Sequence, residues 1–185
     1  MPHPAQDLLA TRRVYAGRVL NVEVDTVRAP DGSTIDLEVV RHAGAAAVVP
    51  LIGDLESVEP QVLLIQQYRY AAGGHLWEIP AGILEPGETP VACAHRELLE
   101  ETGARAGGME QLTTILPSPG FNDEQIHLFL ATGLSAGEPN HERDEFIEVR
   151  TRTMTQALTM IRDGEIRDGK TIAALLFVAG FRLNL

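Results

Sequence analysis

Residues 82–104 read GILEPGETPVACAHRELLEETGA, and the second half of this segment carries the signals of a helix. The pattern predicts that the helix covers Thr89–Thr102. Thr89 is a good N-cap, Pro90 suits the first helical position, and Gly103 suits the position just past the end. The residues before Thr89 are then a loop that leads into the helix.

Three carboxylates share one side of this predicted helix. Glu97 and Glu101 are four residues apart and Glu100 lies three beyond Glu97, so the three side chains are neighbours. The adjoining side is apolar and is expected to face the core: Leu98, Val91 and Ala94. Like charges at this spacing destabilise a helix by roughly 0.2–0.5 kcal/mol per pair. The arrangement suits hard cations, which prefer carboxylate oxygens; the alternative is a solvated acidic face without a ligand.

Two further acids and one arginine extend this acidic group. Glu85 and Glu88 lie in the loop that enters the helix and can add oxygen ligands. Arg96 stands four residues before Glu100, so it can pair with that carboxylate and orient it.

The whole segment matches the pattern G-x5-E-x7-R-E-U-x-E-E-x-G-U, where U is a bulky aliphatic residue. The matching positions are Gly82, Glu88, Arg96, Glu97, Leu98, Glu100, Glu101 and Gly103. Only Ala104 departs, because it is small where a larger aliphatic residue is usual. The chain therefore resembles the Nudix hydrolase family, whose loop–helix–loop box supplies metal ligands for pyrophosphate hydrolysis.

Segments outside the box resemble the ADP-ribose pyrophosphatase branch of that family. They are LLIQQYRYAAGGHLWEIPAGILEPGE (63–88), LPSPGFNDEQIHLFLA (116–131) with Pro119 fifteen residues after Ala104, DEFIEV (144–149) and GEIRDGKTIAALL (164–176). The resemblance implies Mg²⁺-dependent hydrolysis of ADP-ribose to AMP and ribose 5-phosphate. The alternatives are another nucleoside diphosphate sugar such as a GDP-sugar, a broad substrate range, or a Nudix module that binds a nucleotide without cleaving it.

The resemblance also implies roles for individual residues in metal binding. Glu97, Glu101 and the backbone carbonyl of Ala81 correspond to metal ligands, and Glu100 and Glu85 are expected as further ligands. Two or three Mg²⁺ ions, or Mn²⁺, would neutralise the phosphates and activate water.

Other implied roles concern the substrate and the general base. Arg69 is expected to grip a phosphate with its planar guanidinium, although an ordinary surface arginine is the alternative; Glu85 and Glu124 are also assigned to substrate binding. A glutamate outside the box is expected to act as general base. We favour Glu142 or Glu145, in an acidic loop that can close over the metals, and Glu124 is the alternative.

Composition limits the partners of the chain. A formal net charge of −11 argues against nucleic acid, because a polyanion needs a basic face. No apolar run reaches the roughly 18 residues that span a bilayer, and no signal pattern is present at the N-terminus. Cys93 is the only cysteine, which excludes an intrachain disulfide and fits a reducing compartment. We expect a cytoplasmic protein with no membrane partner and a small nucleotide substrate.

The remaining pattern predicts an α/β or α+β fold, a mixed sheet between helices with an N-terminal antiparallel hairpin. Residues 1–11 are predicted to be a loose tail. Strands are predicted in the valine-rich run from Val14 to Val27 and at Ile35–Val39, Ala45–Ile52, Gln61–Gln67, Leu76–Pro80, Gln111–Leu116, Gln125–Ala131 and Phe146–Thr151, with closing helices at Thr153–Arg162 and Lys170–Phe181. The domains are expected to be a β extension over 1–42 and a Nudix domain over 43–185. Two long strands are marginal alone, so the hairpin over 14–41 is expected to form a homodimer.

Overall fold

The computed structural model describes residues 7–18, 20–138 and 147–183. In chain order the strands are β1 (Leu8–Ala16), β2 (Asn21–Arg28), β3 (Thr34–Arg41), β4 (Ala45–Ile52), β5 (Gln61–Arg69), β6 (Gly74–Glu78), β7 (Ala81–Ile83), β8 (Ala104–Arg105), β9 (Gly108–Ile115), β10 (Ile126–Thr132), β11 (Ser135–Ala136) and β12 (Ile147–Thr153). The helices are α1 (Pro90–Thr102), α2 (Met154–Arg162) and α3 (Gly169–Val178), with a 3₁₀ turn at Tyr70–Ala72 and a π-helical turn at Ala179–Leu183.

The chain falls into two compact units. The described residues up to Ala43, together with Leu116–Gln125, form the first unit. Gly44–Ile115 and the described residues from Ile126 onward form the second. None of the helices in the described ranges has the length and hydropathy that a bilayer-spanning helix requires.

The first unit is an antiparallel sheet in the order β1-β2-β3. Two expectations for this region were wrong: β1 begins at Leu8, inside the predicted tail, and the valine-rich run is two strands rather than one. The reason is a turn after β1, where the N–H of Gly17 donates to the carbonyl of Leu20 at 2.8 Å. The turn between β2 and β3 has Gly32 at φ 85°, a conformation that glycine adopts without strain.

Charged side chains hold this sheet together at its centre. Glu23 and Asp25 on β2 are only 9% and 5% exposed. Both accept hydrogen bonds from Arg41 on β3, whose Nη1 also donates to Asp123 at 3.2 Å. These bonds lower the pKa of Glu23, with a further contribution from Arg13, so buried charge in this unit is paired.

The second unit is built on a seven-stranded sheet. Five strands run in the order β12-β5-β4-β10-β9, with β6 paired to β5 and β7 to β4. Strands β4 and β10 are parallel, and their other pairings in the sheet are antiparallel. The mixed sheet predicted from the sequence is confirmed.

Helices cover both faces of this sheet. Ala46 and Val48 of β4 pack with Leu98 of α1 on one face, and Ala47 and Val49 pack with α2 and α3 on the other. Strand β4 is therefore buried from Ala45 to Leu51, as a central strand covered on both sides must be. Trp77 of β6 is partly buried and packs against the core on the face covered by α2 and α3.

The closing helices begin at capping residues. Thr153 caps α2 in a reciprocal box with Gln156, and Asp168 caps α3, so that helix starts at Gly169, one residue before the predicted start. The prediction that α3 continues to Phe181 was wrong, because the α-helix ends at Val178 and a π-helical turn follows.

Candidate active site

Helix α1 forms as the sequence predicts. The Thr89 hydroxyl accepts a hydrogen bond from the N–H of Ala92, and Pro90 occupies the first turn. Gly103 ends the helix in the left-handed conformation, at φ 68°, and its N–H donates to the carbonyl of Leu99 at 2.8 Å. The two caps therefore fix the length of the segment that carries the three carboxylates.

Two of the three carboxylates are buried. Glu97 is 8% exposed and Glu101 is 2% exposed, whereas the side chain of Glu100 is 34% exposed. The N–H of Ala81 in β7 donates to Oε2 of Glu101 at 2.8 Å. A buried carboxylate is expensive unless it is bonded, so the alternative of a solvated acidic helix face does not describe this helix.

The first glycine of the box makes room for one of these buried acids. A Cβ added to Gly82 in β7 would lie 1.8 Å from Oε1 of Glu97, far inside contact distance. Only glycine therefore fits beside the Glu97 carboxylate in this position. The backbone of β7 supports both buried acids, because Ala81 contacts Glu101 and Gly82 contacts Glu97.

Arg96 joins the loop to the helix. Its guanidinium donates to both oxygens of Glu88 at 2.9 Å, to Glu97 at 2.5 Å and to Glu100 at 3.1 Å. The predicted Arg96–Glu100 contact is thus present, although Glu88 is the partner with two bonds. These bonds lower the pKa of Glu88 to about 2 and raise that of Arg96. Arg96 therefore holds three of the box carboxylates in a fixed arrangement.

The apolar side of α1 differs from the prediction at one residue. Leu98 and Ala94 are fully buried, but Val91 is 43% exposed. Cys93 takes the buried position in the first turn instead, and its Sγ lies 3.5 Å from the carbonyl oxygen of Gly82. Cys93 packs behind the box, where burial raises the pKa of the thiol to about 12.

Arg69, the predicted phosphate-binding residue, ends strand β5. Its Nε and Nη2 donate to the two oxygens of Glu78 at 2.8 and 3.0 Å. The side chain is still 42% exposed, and its Nη1 side is not engaged by Glu78. The charge of Glu101 contributes to raising the pKa of Arg69, after the larger effect of the Glu78 hydrogen bonds. The charge of Glu101 therefore acts on Arg69, and part of the Arg69 side chain is exposed and not bound by Glu78.

Glu78 is a component of the site that sequence reasoning missed. It is 2% exposed and also accepts a hydrogen bond from Lys170 on α3. Glu78 lies in the segment 63–88 that resembles the ADP-ribose pyrophosphatase branch. No rule of sequence spacing connects it with Lys170, which is 92 positions further along the chain.

The other predicted residues belong to three different parts of the chain. Glu85 lies exposed in the loop before α1, and its N–H donates to Glu88 at 3.0 Å. Glu124 belongs to the first unit, where its carboxylate lies 3.6 Å from Nδ1 of His42. Glu142 and Glu145, the favoured general bases, lie outside the described residues.

The donor set fits hard divalent cations. Glu97, Glu100 and Glu101 offer carboxylate oxygens, the ligands that Mg²⁺ and Mn²⁺ prefer. The recess at Gly82, which a Cβ would fill, brings the backbone close to Glu97. Within the described ranges, no three His, Cys, Asp or Glu side chains are gathered closely enough to hold an ion, and Arg96 neutralises two of the three acids. The fit therefore rests on the chemistry of these oxygen ligands.

Fold, caps and box together define the class of protein. Residues 41–175 match the NUDIX domain family, and the chain belongs to that family as a Nudix hydrolase. A solved structure, "Crystal structure of ADP compounds hydrolase", has a TM-score of 0.81 and 20% identity, and the match covers 94% of this chain and 92% of that chain. This likeness confirms the mixed-sheet fold.

Two curated relatives are similar over nearly the whole chain. An ADP-ribose pyrophosphatase of Bacillus subtilis (strain 168) is 37% identical over 172 residues, which are 92% of this chain and 90% of the relative. A methanol dehydrogenase activator of Bacillus methanolicus is 40% identical over 172 residues, with the same coverage of both chains. The alignments thus cover about nine-tenths of this chain and of each relative.

Proposed function

We propose that this chain hydrolyses ADP-ribose to AMP and ribose 5-phosphate with divalent cations. The observation that carries the proposal is the pair of buried acids, Glu97 and Glu101, held against the backbone of β7. The partly exposed Arg69 lies near enough for the charge of Glu101 to act on it. Burying two carboxylates is energetically costly, and binding of divalent cations would offset this cost. The same cations would neutralise the charge of a pyrophosphate. The relative named an ADP-ribose pyrophosphatase, aligned over 92% of this chain, supports the choice of substrate.

Metal binding follows from the same acids. Glu97, Glu101 and the Ala81 carbonyl would hold the principal ions, with Glu100 and Glu85 as additional ligands. Two or three Mg²⁺ ions, or Mn²⁺, would supply positive charge to the phosphate oxygens and make water more acidic. Arg96 would keep Glu97 and Glu100 oriented through its hydrogen bonds.

The side chains then have distinct tasks in hydrolysis. Arg69 binds a substrate phosphate with the donors that Glu78 leaves outward. A glutamate removes a proton from water as the water oxygen bonds to phosphorus, and the bond between that phosphorus and the bridging oxygen breaks. The proton acceptor is Glu142 or Glu145, or Glu124 as the alternative. We place this reaction in the cytoplasm, in a homodimer.

A substrate panel tests the activity itself. The chain, dialysed against EDTA and then supplied with Mg²⁺ or Mn²⁺, is assayed with ADP-ribose, GDP-mannose, other nucleoside diphosphate sugars and nucleoside triphosphates. We expect ADP-ribose to have the highest kcat/KM and turnover to be lost in EDTA. Full turnover without metal, or a preference for a GDP-sugar, would contradict the proposal. Binding of ADP-ribose without hydrolysis would indicate a non-catalytic module.

The general base is tested by Gln substitutions at Glu124, Glu142 and Glu145, assayed side by side. Loss of a positioned base is expected to lower kcat about 10²–10⁴-fold with little change in KM. A loss confined to Glu124→Gln would reject the loop residues as base. Losses below about tenfold in all three variants, roughly 1.4 kcal/mol of barrier, would reject a dedicated base among them.

A second candidate function is activation of an alcohol dehydrogenase. It is favoured by the activator relative, which is 40% identical over 92% of this chain. The test adds the chain, or its Glu97→Gln variant, to a methanol dehydrogenase. A rate increase with the unsubstituted chain alone would tie activation to the box, and no increase with either protein would reject this candidate.

A further inference from the structure

The motif at Gly164–Leu176 contains the only lysine of the chain. The other 14 of its 15 basic residues are arginines. Because every other basic residue is an arginine, a single lysine at a mostly buried position suggests that the compact ammonium group itself is needed there. Arginine and lysine differ in shape, because the guanidinium is a planar fork and the ammonium is a point charge with three donors.

Lys170 is held by the first turn of α3. Its side chain is 14% exposed, and Nζ donates to Glu78 and, at 3.0 Å, to Asp168. Asp168 is the N-cap of the helix and accepts hydrogen bonds from both the N–H and the hydroxyl of Thr171. The position of the ammonium is therefore set by a capped helix end.

Glu78 connects Lys170 to Arg69. Both of its oxygens are bonded to the Nε–Nη2 edge of Arg69, and Lys170 adds a bond to Oε2. Burial opposes ionisation of Glu78, but the bonds from Arg69 and the charge of Lys170 outweigh it and lower the pKa. Arg69, Lys170, Glu78 and Asp168 form a group with equal numbers of each charge. Without Lys170, two carboxylates would face Arg69 alone, and the group would repel a phosphate.

The same helix end also holds the strand that leads to the box. The N–H of Ile79 donates to the buried Thr171 hydroxyl at 2.9 Å. Ile79 lies two residues before Ala81, whose N–H is bonded to Glu101. The first turn of α3 therefore contacts the backbone beside the box directly and Arg69 through Glu78.

We propose that Lys170 is a positioning residue for substrate binding, which holds Glu78 so that Arg69 keeps its free donors directed at a substrate phosphate. The inference rests on the proposed function, because it takes Arg69 to be the phosphate ligand. An arginine at position 170 cannot replace it, since a second fork competes with Arg69 for the two oxygens of Glu78.

A double-mutant cycle tests whether Lys170 acts through Arg69. Lys170→Met, Arg69→Met and the double variant are assayed for kcat and KM with ADP-ribose. We expect Lys170→Met to raise KM about tenfold with less than about a threefold change in kcat, the signature of lost binding. In the Arg69→Met background the same change should alter KM less than about twofold, because coupled residues are not additive. Additive effects, or an unchanged KM in Lys170→Met, would overturn the inference.

Two further variants separate this role from a structural one. Arg162→Met removes a positive charge from an exposed pair with Asp163 and should leave KM unchanged. Lys170→Arg keeps the charge if Lys170→Met does not fold, and we expect it to raise KM at least about threefold; a KM equal to that of the unsubstituted chain would overturn the inference. If the unsubstituted chain hydrolyses no ADP-ribose, the proposed function fails and the inference falls with it. If the chain hydrolyses ADP-ribose but Arg69→Met leaves KM unchanged, Arg69 is not the phosphate ligand and only the inference is overturned. If Arg69→Met raises KM and Lys170 variants do not, only the inference fails.

The single lysine also allows a test without activity. For an amine-reactive acetylating reagent, Lys170 is the one side-chain amine of the sequence, and peptide mass spectrometry distinguishes its acetylation from that of the N-terminus. Glu78→Gln should speed acetylation of Lys170 severalfold, because the ammonium loses a charged partner. An unchanged rate would show that Glu78 does not hold Lys170, and would overturn the inference.

Discussion

Glu101 is the most deeply buried carboxylate of the box, at 2% exposure. Its bond to the N–H of Ala81 satisfies one oxygen, and a Gln side chain can accept the same bond. Glu97 sits against Gly82 and is bonded to Arg96. At both positions the shape of the side chain can be kept while its charge is removed.

The first prediction concerns these two charges. Loss of a group that only hydrogen-bonds to a metal ligand lowers activity roughly 10–100-fold. Glu97→Gln and Glu101→Gln change the proposed ligands themselves, so each should lower kcat by more than that. The melting temperature in EDTA should change by less than about 4 °C, about 1 kcal/mol for a chain of this length. Calorimetry and steady-state kinetics check both parts. A variant that remains fully active in saturating Mg²⁺ would exclude that residue as a ligand.

The second prediction concerns the reactivity of Cys93. Cys93 is fully buried, and burial raises the pKa of its thiol to about 12. At pH 8 only about one thiol in ten thousand would be ionised. We expect Ellman's reagent to modify Cys93 in 8 M urea but not in the folded chain in EDTA. Rapid modification of the folded chain would show that the thiol is accessible and reactive.

At the scale of elements, β7 and α1 work as a pair. Gly82 has an ordinary backbone conformation, so an added methyl group would strain only the contact with the Glu97 carboxylate. Because that carboxylate is the end of a flexible side chain, the fold can tolerate the change by moving Glu97 aside. The strand thereby controls where a catalytic acid lies.

The third prediction follows from this pairing. Gly82→Ala should keep the fold but lower kcat about 100-fold, the effect expected of a 1 Å misplacement in an active site. Gly120→Ala is the matched control, because a Cβ there meets nothing within 4 Å. Circular dichroism and kinetics are the measurements. An active Gly82→Ala variant would mean that the position of Glu97 is not critical.

At the scale of elements, the features that could be predicted from the sequence were those set by neighbouring residues. The caps Thr89 and Gly103 gave correct ends for α1, and the spacing of the three acids placed them on one side. The spacing of residues does not show how deeply they are buried. The burial of Glu97 and Glu101 and the recess at Gly82 depend on the packing of β7 against α1, so they could not be predicted from the sequence. The valine-rich run was not recognised as two strands, because Gly17 has no neighbouring Pro, Asn, Asp or second Gly to indicate a turn.

At the scale of the whole molecule, the first unit exposes apolar side chains on its sheet. Ile35 and Leu37 on β3 are 42% and 43% exposed, and Val14 and Tyr15 on β1 are 48% and 59% exposed. A three-stranded sheet with this much open apolar surface gains stability by covering it. A second copy of the chain is the occupant we propose.

The fourth prediction is therefore a homodimer. Sedimentation equilibrium at micromolar concentration should give twice the chain mass of 20.1 kDa. Leu37→Lys should shift the mass to one chain, because a charge would be buried in the interface. Leu176→Lys, at a 50% exposed position on α3, should not. A single-chain mass for the unsubstituted protein would contradict the proposal.

The burial of β4 from Ala45 to Leu51 has a consequence for how the second unit unfolds. Its amides between Ala45 and Val49 lie between two cores and two neighbouring strands. Local fraying cannot expose them to solvent, so their protons should exchange with deuterium only when the entire second unit unfolds. Their exchange rates would then report the free energy of global unfolding, while amides in the 3₁₀ turn at Tyr70–Ala72, whose residues are all exposed, should exchange far sooner.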